Sequence, residues 1–456
     1  MKNISLSALL AASLLAGGLS TGASAADLGG DCCADLEERV AELEATTARK
    51  GNRKVSLTIS GFVAQQIIAW DDGQESNVYI TDTGSVSIGT HVAFSGKAQI
   101  NSDVEAGFVI KIEAMNNDSL GVSQNTDDGG NVFGLVQTGT GQVLSLESAY
   151  WFLKSNQYGR VSVGQQSSAA DNQAIIVDGS GSLVQANYVM YDMQGFGLRR
   201  NGAAVGAGWG GLANCHPVGG AVAADCDGYP NNNVRYDTPT FGGFAASASW
   251  GEDDIWAVSA RYAGEFSGFK LAAAIAYVQS TDETSPGAGV NLGSRANGGL
   301  DADHLQIGAF VMHAPTGLFL YGAYGHESPD VTSSARLAGR GNPEGDNYYI
   351  KAGLRRQFFP LGHSVLYGEY GKNDDKMSAG LFDAGVNSSD LDQYGIGFVQ
   401  EIDAAAMSIW LAWRHYEADA NCADVAVGSC AAIGLAQGNN SLDEFDLVKF
   451  GALINF

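Results

Sequence analysis

From residue 54 to the C-terminus the chain alternates apolar and polar residues with a period of two, the pattern of strands with one apolar face. Sixteen segments carry it: 55–70, 86–100, 104–115, 143–155, 159–166, 233–238, 241–250, 253–263, 268–279, 303–314, 317–326, 347–358, 362–372, 391–402, 404–416 and 444–456. The last shows it best. Val448, Phe450, Ala452, Ile454 and Phe456 share one face, and Leu447, Lys449, Gly451, Leu453 and Asn455 the other. In the twelfth, Tyr348, Ile350, Ala352, Leu354 and Phe358 line up with one charged exception, Arg356. Met407, Ile409, Leu411 and Trp413 oppose Ser408, Trp410, Ala412 and Arg414.

Most segments are about ten residues long, enough for a tilted membrane-spanning strand. The gaps alternate short and long. The long ones are expected at 71–85, 116–142, 167–232, 280–302, 327–346, 373–390 and 417–443, with one short exception near Gly251. Short turns at one rim and long loops at the other, with an even strand count, describe a closed antiparallel barrel whose ends share the periplasmic rim. All eight prolines are expected in connections, because proline cannot donate to the ladder of a closed sheet. Fold class is therefore all-β, a transmembrane antiparallel β-barrel of 16 strands over residues 54–456.

The N-terminus differs. Lys2, an apolar stretch and Ala23-Ser24-Ala25 make residues 1–25 a secretory signal peptide rather than an anchor helix. Residues 26–53 are charged and helix-favouring. Leu36, Val40 and Leu43 follow the spacing of a short coiled-coil seam in a periplasmic helical segment. Six cysteines form three local pairs, Cys32/Cys33, Cys215/Cys226 and Cys422/Cys430; in an exported chain the last two pairs are expected as loop-closing disulfides.

Fifty Asp+Glu against 25 Lys+Arg disfavour nucleic acid, which needs a basic footprint. No catalytic motif stands in a supporting context. Gly206-Ala207-Gly208-Trp209-Gly210-Gly211 lies in a glycine-rich loop without the strand–helix frame of a dinucleotide site, and Asp301-Ala302-Asp303 is only a fragment of a calcium loop. No metal, cofactor or enzymatic activity is expected.

Charge placement is more informative. Alternation points Lys97, Lys111, Arg235, Arg261, Lys270, Lys351, Arg355, Arg414 and Lys449 into the lumen, and loop 167–232 offers Asp171, Asp178 and Asp192. A loop carboxylate facing a basic wall sets up a transverse field that favours polar solutes. The competing reading pairs these cations with Glu113, Glu147 or Glu369 as wall-stabilising ion pairs. Trp151 and Trp410 are the candidate inward aromatics, too few for a sugar track.

The stretch from Cys32-Cys33-Ala34-Asp35-Leu36 to Lys54-Val55, the segment from Ser148 to Ser155 (Ser-Ala-Tyr-Trp-Phe-Leu-Lys-Ser), the run Tyr158-Gly159-Arg160-Val161-Ser162-Val163-Gly164 and the terminal Phe456 resemble the alphaproteobacterial, rhizobial-type general porins. The resemblance covers nearly the whole mature chain. It implies a sixteen-stranded trimeric barrel in the outer membrane of a Gram-negative bacterium, among outer-membrane lipid and lipopolysaccharide. It further implies passage of small hydrophilic solutes and ions, a third outer loop folded into the lumen, and a terminal Phe456 read by the barrel-assembly machinery. The corresponding loop, 167–232, is longer than a constriction needs, so part of it is expected to project outward. The function expected is a passive diffusion channel of weak cation selectivity. A substrate-specific channel or a structural or adhesive surface protein are the alternatives, which single-channel recording separates.

Overall fold

The computed structural model describes residues 55–83, 89–127, 143–182, 193–214, 230–251, 254–283, 300–330, 344–423 and 430–456. The candidate seam Leu36, Val40 and Leu43, the cysteines 32, 33, 215 and 226, and Asp192 lie outside these residues.

Sixteen antiparallel strands close into a barrel: β1 (Ser56–Asp71), β2 (His91–Gln99), β3 (Val104–Met115), β4 (Val143–Ser155), β5 (Gly159–Gln166), β6 (Asn231–Asp237), β7 (Phe244–Gly251), β8 (Trp256–Phe266), β9 (Phe269–Glu283), β10 (Leu300–His313), β11 (Leu318–Asp330), β12 (Gly345–Phe359), β13 (Gly362–Asp374), β14 (Val386–Ile402), β15 (Met407–Cys422) and β16 (Phe445–Asn455). Each pairs with its sequence neighbour, and β1 pairs with β16 from Phe62↔Asn455 to Asp71↔Asp446, which leaves the wall without a free edge. Closure satisfies the backbone where no water could.

Parity sets the two faces. Ile350 and Leu411 stand about half exposed on the outside, while their neighbours Lys351 and Trp410 are buried within. This is apolar-out and polar-in, as expected for strands that meet lipid on one side. On the inside of the outer half an aromatic cluster joins wall and loop. Trp70, Tyr416 and Phe445 from β1, β15 and β16 pack against Phe196 and Trp209 of loop 167–232, with Phe196–Phe445 ring centroids 4.8 Å apart.

Three expectations are corrected. First, most of gap 71–85 is not loop. A tight turn, Asp72 N to Glu75 O at 3.0 Å, returns the chain into a strand, Ser76–Asp82, that pairs with β1 down to Gln65. The second wall strand is thus interrupted. Asp82 closes the base of the interruption by accepting from the N–H groups of Thr83 (2.8 Å) and Thr90 (3.1 Å). Second, Pro329 lies in a strand, opposite Ala302. It stands beyond Glu327↔Gly345, the last pair of β11 with β12 among the described residues, so its missing N–H interrupts none of those pairs. Third, Trp151 points outward, half exposed. Glu147 is the extra residue of a bulge between Lys111↔Ser148 and Ile112↔Leu146, and one extra residue flips the parity of everything after it.

Candidate functional site

The lumen is shaped by the two described parts of loop 167–232. Leaving β5, Ser168 Oγ accepts from the N–H groups of Ala170 and Asp171, which turns the chain inward. Ala169 N donates to Ser249 Oγ of β7 at 2.8 Å. The short helix α1 (Gln173–Ile176) then meets the wall across the lumen. Ala174 N donates to Gln306 Oε1 (2.8 Å), Gln306 Nε2 donates to the Ala170 carbonyl (2.9 Å), and Tyr321 OH donates to the Ala174 carbonyl (2.7 Å). Gly308 allows this approach, since a Cβ there would run into the Ala174 carbonyl oxygen.

Beyond α1, Asp178 pairs with Lys351 of β12, and Lys351 Nζ also donates to Ser182 Oγ at 2.8 Å. The ammonium lies 5.3 and 5.6 Å from the Tyr321 and Tyr367 ring centroids. A buried charge requires such a partner set. Gly181, with φ +85°, sits beside the Arg355–Glu401 pair.

The second part of the loop turns back into the mouth rather than outward in the residues described. A hairpin, Gly197–Arg200 with Ala203–Gly208, is held around its turn from two sides. Arg199 bonds Asp72 (2.6 Å) and Glu75 (3.0 Å), and Asp443 accepts from the N–H groups of Asn201 (2.9 Å) and Gly202 (2.6 Å). Burial acts to raise the Asp72 carboxyl, but its bonds to Arg199, to the Glu75 and Gln74 backbone and to Gln124 outweigh that and hold it below its ordinary value. Arg199 was not a candidate, because no periodicity marks a loop cation. The neighbouring carboxylates Asp71, Asp72 and Glu75 were the only signal.

Several of the wall cations meet a carboxylate. Lys111 pairs with Glu147 (2.6 Å), Arg414 with Glu369 (2.6 Å), and Arg355 with Glu401 (2.7 Å). Arg235 pairs with Asp237 (2.8 Å) and reaches the Ser167 and Ser168 carbonyls. Arg261 and Lys270 are half-buried on the inner face, Lys97 is exposed near the periplasmic end of β2, and Lys449 is buried. Asp171 is buried in the loop and accepts from Asn172 Nδ2 at 2.6 Å. Cys422 and Cys430 form a disulfide at the outer end of β15. Phe456, half exposed, exchanges backbone hydrogen bonds with Gly61 (3.0 and 3.1 Å), tying the last residue to β1. The described residues also bring His415, Glu417 and Glu444 together on the outer face of β15 and β16.

A family model described as Gram-negative porin matches residues 8–408. No curated protein matches the sequence. Among solved structures, an anion-selective porin from Comamonas acidovorans aligns with a TM-score of 0.55 at 15% identity, covering 88% of this chain and 100% of that one. OmpT, an outer membrane protein of Vibrio cholerae, aligns with a TM-score of 0.50 at 9% identity, covering 90% of this chain and 100% of that one. At these identities the likeness concerns the fold.

Proposed function

The chain belongs to the Gram-negative porin family and is an outer-membrane channel, and on that premise we propose that it passes small hydrophilic solutes and ions by diffusion through a lumen narrowed by loop 167–232, with weak cation selectivity. The observation that carries this reading is the Asp178–Lys351 pair, which ties the loop to the wall across the lumen from its strand of origin. The described start of the loop thus runs from β5 to β12 inside the barrel.

Selectivity follows from what the pairs leave over. Lys351, Arg355 and Arg414 are each matched by a carboxylate, so the β12–β15 wall presents little net charge. The chain as a whole carries a formal charge of −25, with many carboxylates in the outer connections. Mouth charges enrich cations and are screened over about 8–10 Å at physiological salt. The preference is therefore weak and fades with ionic strength. Planar-bilayer recording tests it. The expected result is an ohmic open channel whose reversal potential under a KCl gradient indicates K⁺ preference; firm anion selectivity at low salt would overturn it.

The same reading includes a homotrimer, a loop-fixing disulfide at Cys215 and Cys226, Phe456 as the mark read by the assembly machinery, and contact with outer-membrane lipid and lipopolysaccharide. On the outer face Tyr324 OH, Tyr370 OH and Trp413 Nε1 donate to Asp346, Asp392 and Asp446 at 2.6, 2.5 and 2.9 Å. Aromatic rings tipped with polar bonds suit the level where acyl chains meet headgroups.

A further inference from the structure

The two sides of the lumen differ in how their cations are matched. On β12–β15 each of Lys351, Arg355 and Arg414 has its own carboxylate. On β5–β8 three guanidiniums share one. Arg160 of β5 stands opposite Asp237 of β6, and Asp237 opposite Ser247 of β7. Arg235 bonds Asp237 through Nε (2.9 Å) and Nη2 (2.8 Å), while its Nη1 is held by the loop carbonyls of Ser167 (3.3 Å) and Ser168 (2.8 Å). Ser247 Oγ donates to the same Asp237 oxygen at 2.6 Å.

The other two guanidiniums are unfinished. Arg160 lies over the Phe152 and Tyr150 rings, 4.4 and 5.3 Å from their centroids, and its Nε is buried without a hydrogen-bond partner among the described residues. A buried N–H of this kind costs stability until an acceptor reaches it. Arg261 faces inward on β8 and is within electrostatic reach of Asp237 and Arg235. Toward the periplasmic rim the neighbouring charges are matched pairwise, Lys154 with Glu105 at 3.8 Å and Glu265 opposite Lys270 across the strands. Among the described residues, three cations against one carboxylate leave two positive charges in this stretch of wall.

We propose that Arg160, Arg235 and Arg261 form a lumen subsite for small solutes bearing a carboxylate or phosphate group. The proposal rests on the lumen being the solute path. A guanidinium offers a planar fork of donors that matches two oxygens of one oxyanion. The two rings under Arg160 fix its plane, so little side-chain freedom is lost when an oxyanion docks. Arg235, anchored to both wall and loop, sets the inner boundary. A site on a solute path must release what it holds, so affinity is weak, on the order of millimolar. Mouth carboxylates and this subsite act oppositely: the first sort ions before entry, and the second briefly holds the anionic solutes that do enter.

The test is single-channel recording in KCl with inorganic phosphate titrated from one side. Wild-type current should fall saturably, and acetate should compete for the same effect. Arg160→Gln with Arg261→Gln should raise the half-saturating phosphate concentration roughly tenfold. Arg160→Lys with Arg261→Lys, which keeps charge and loses the fork, should fall between. Asp237→Asn should lower that concentration several-fold, because the shared counter-charge is gone. This opposite-direction variant also covers the case in which the double glutamine variant does not fold, judged by heat-modifiable migration on gels. A conducting channel whose half-saturation is unchanged in these variants overturns the subsite and leaves the channel standing. A protein that folds and never conducts overturns both.

Discussion

Asp178 and Lys351, 173 positions apart in the chain, form an ion pair in which neither side chain retains any exposed surface. Removing one partner would leave the other charged and buried, at a local cost of about 3–5 kcal/mol. Asp178→Asn is therefore expected to loosen the loop and unmask Lys351, moving the reversal potential toward anions; Asp171→Asn added to it should extend the shift. Lys351→Gln with Arg355→Gln should move it the other way. An unchanged reversal potential in all of these would mean that the loop pair lies outside the ion path.

Gly308 tests the same contact sterically. Gly308→Val places side-chain atoms where the Ala174 carbonyl now sits, so α1 must leave the wall. The β10 ladder itself has no reason to break, because valine favours strands. The expected outcome is a folded barrel with a larger, noisier conductance. A crystal structure of the variant with α1 still docked would contradict it.

The hairpin latch has a defined acid limit. The Asp72 carboxyl is held below 3.8, so the stability it contributes is fully present above that value and is lost as pH falls through the lower folded one. Hydrogen exchange at residues 197–208 should stay slow at pH 5 and rise only below pH 3.8. Arg199→Ala should raise it while Asp72 is ionised, by the equivalent of about 1–3 kcal/mol for a charge-assisted bond in a partly buried site, and the difference from wild type should shrink as Asp72 protonates. Equal protection in wild type and variant would show that Asp443 alone holds the hairpin.

The Cys422–Cys430 disulfide spans 8 positions, a short loop, so its worth is about 2–3 kcal/mol and local. Replacing both residues by serine should speed exchange in Gly438–Ser441, which pairs with the end of β15, and leave heat-modifiable migration of the barrel unchanged. Mass mapping is expected to find Cys215 joined to Cys226 as well. Recovery of those two as free thiols would remove that second bond from the account.

A trimer is expected to migrate slowly on unheated detergent gels and to collapse on boiling. Light scattering in mild detergent that returns a single-chain mass would exclude it.

The sixteen strands and their two faces were legible from residues alone, because period-two alternation is a local property and a closed barrel turns it directly into lipid side and lumen side. It located Lys351, Arg414 and Trp410 on the inner face. Where one residue is inserted, as at Glu147, local parity fails, and Trp151 shows that only the ladder reveals it. The turn at residues 72–75 was equally hidden, since the alternation of Ser76–Asp82 belongs to a wall strand that breaks off beyond Asp82. Pairing was out of reach for a different reason. Which carboxylate meets Lys351, Arg355 or Arg160 depends on contacts between residues far apart in the chain, and many pairings are compatible with one alternation pattern. The tertiary structure decides among them through the loop, because a buried charge tolerates no other partner than the one its neighbours leave within hydrogen-bonding distance.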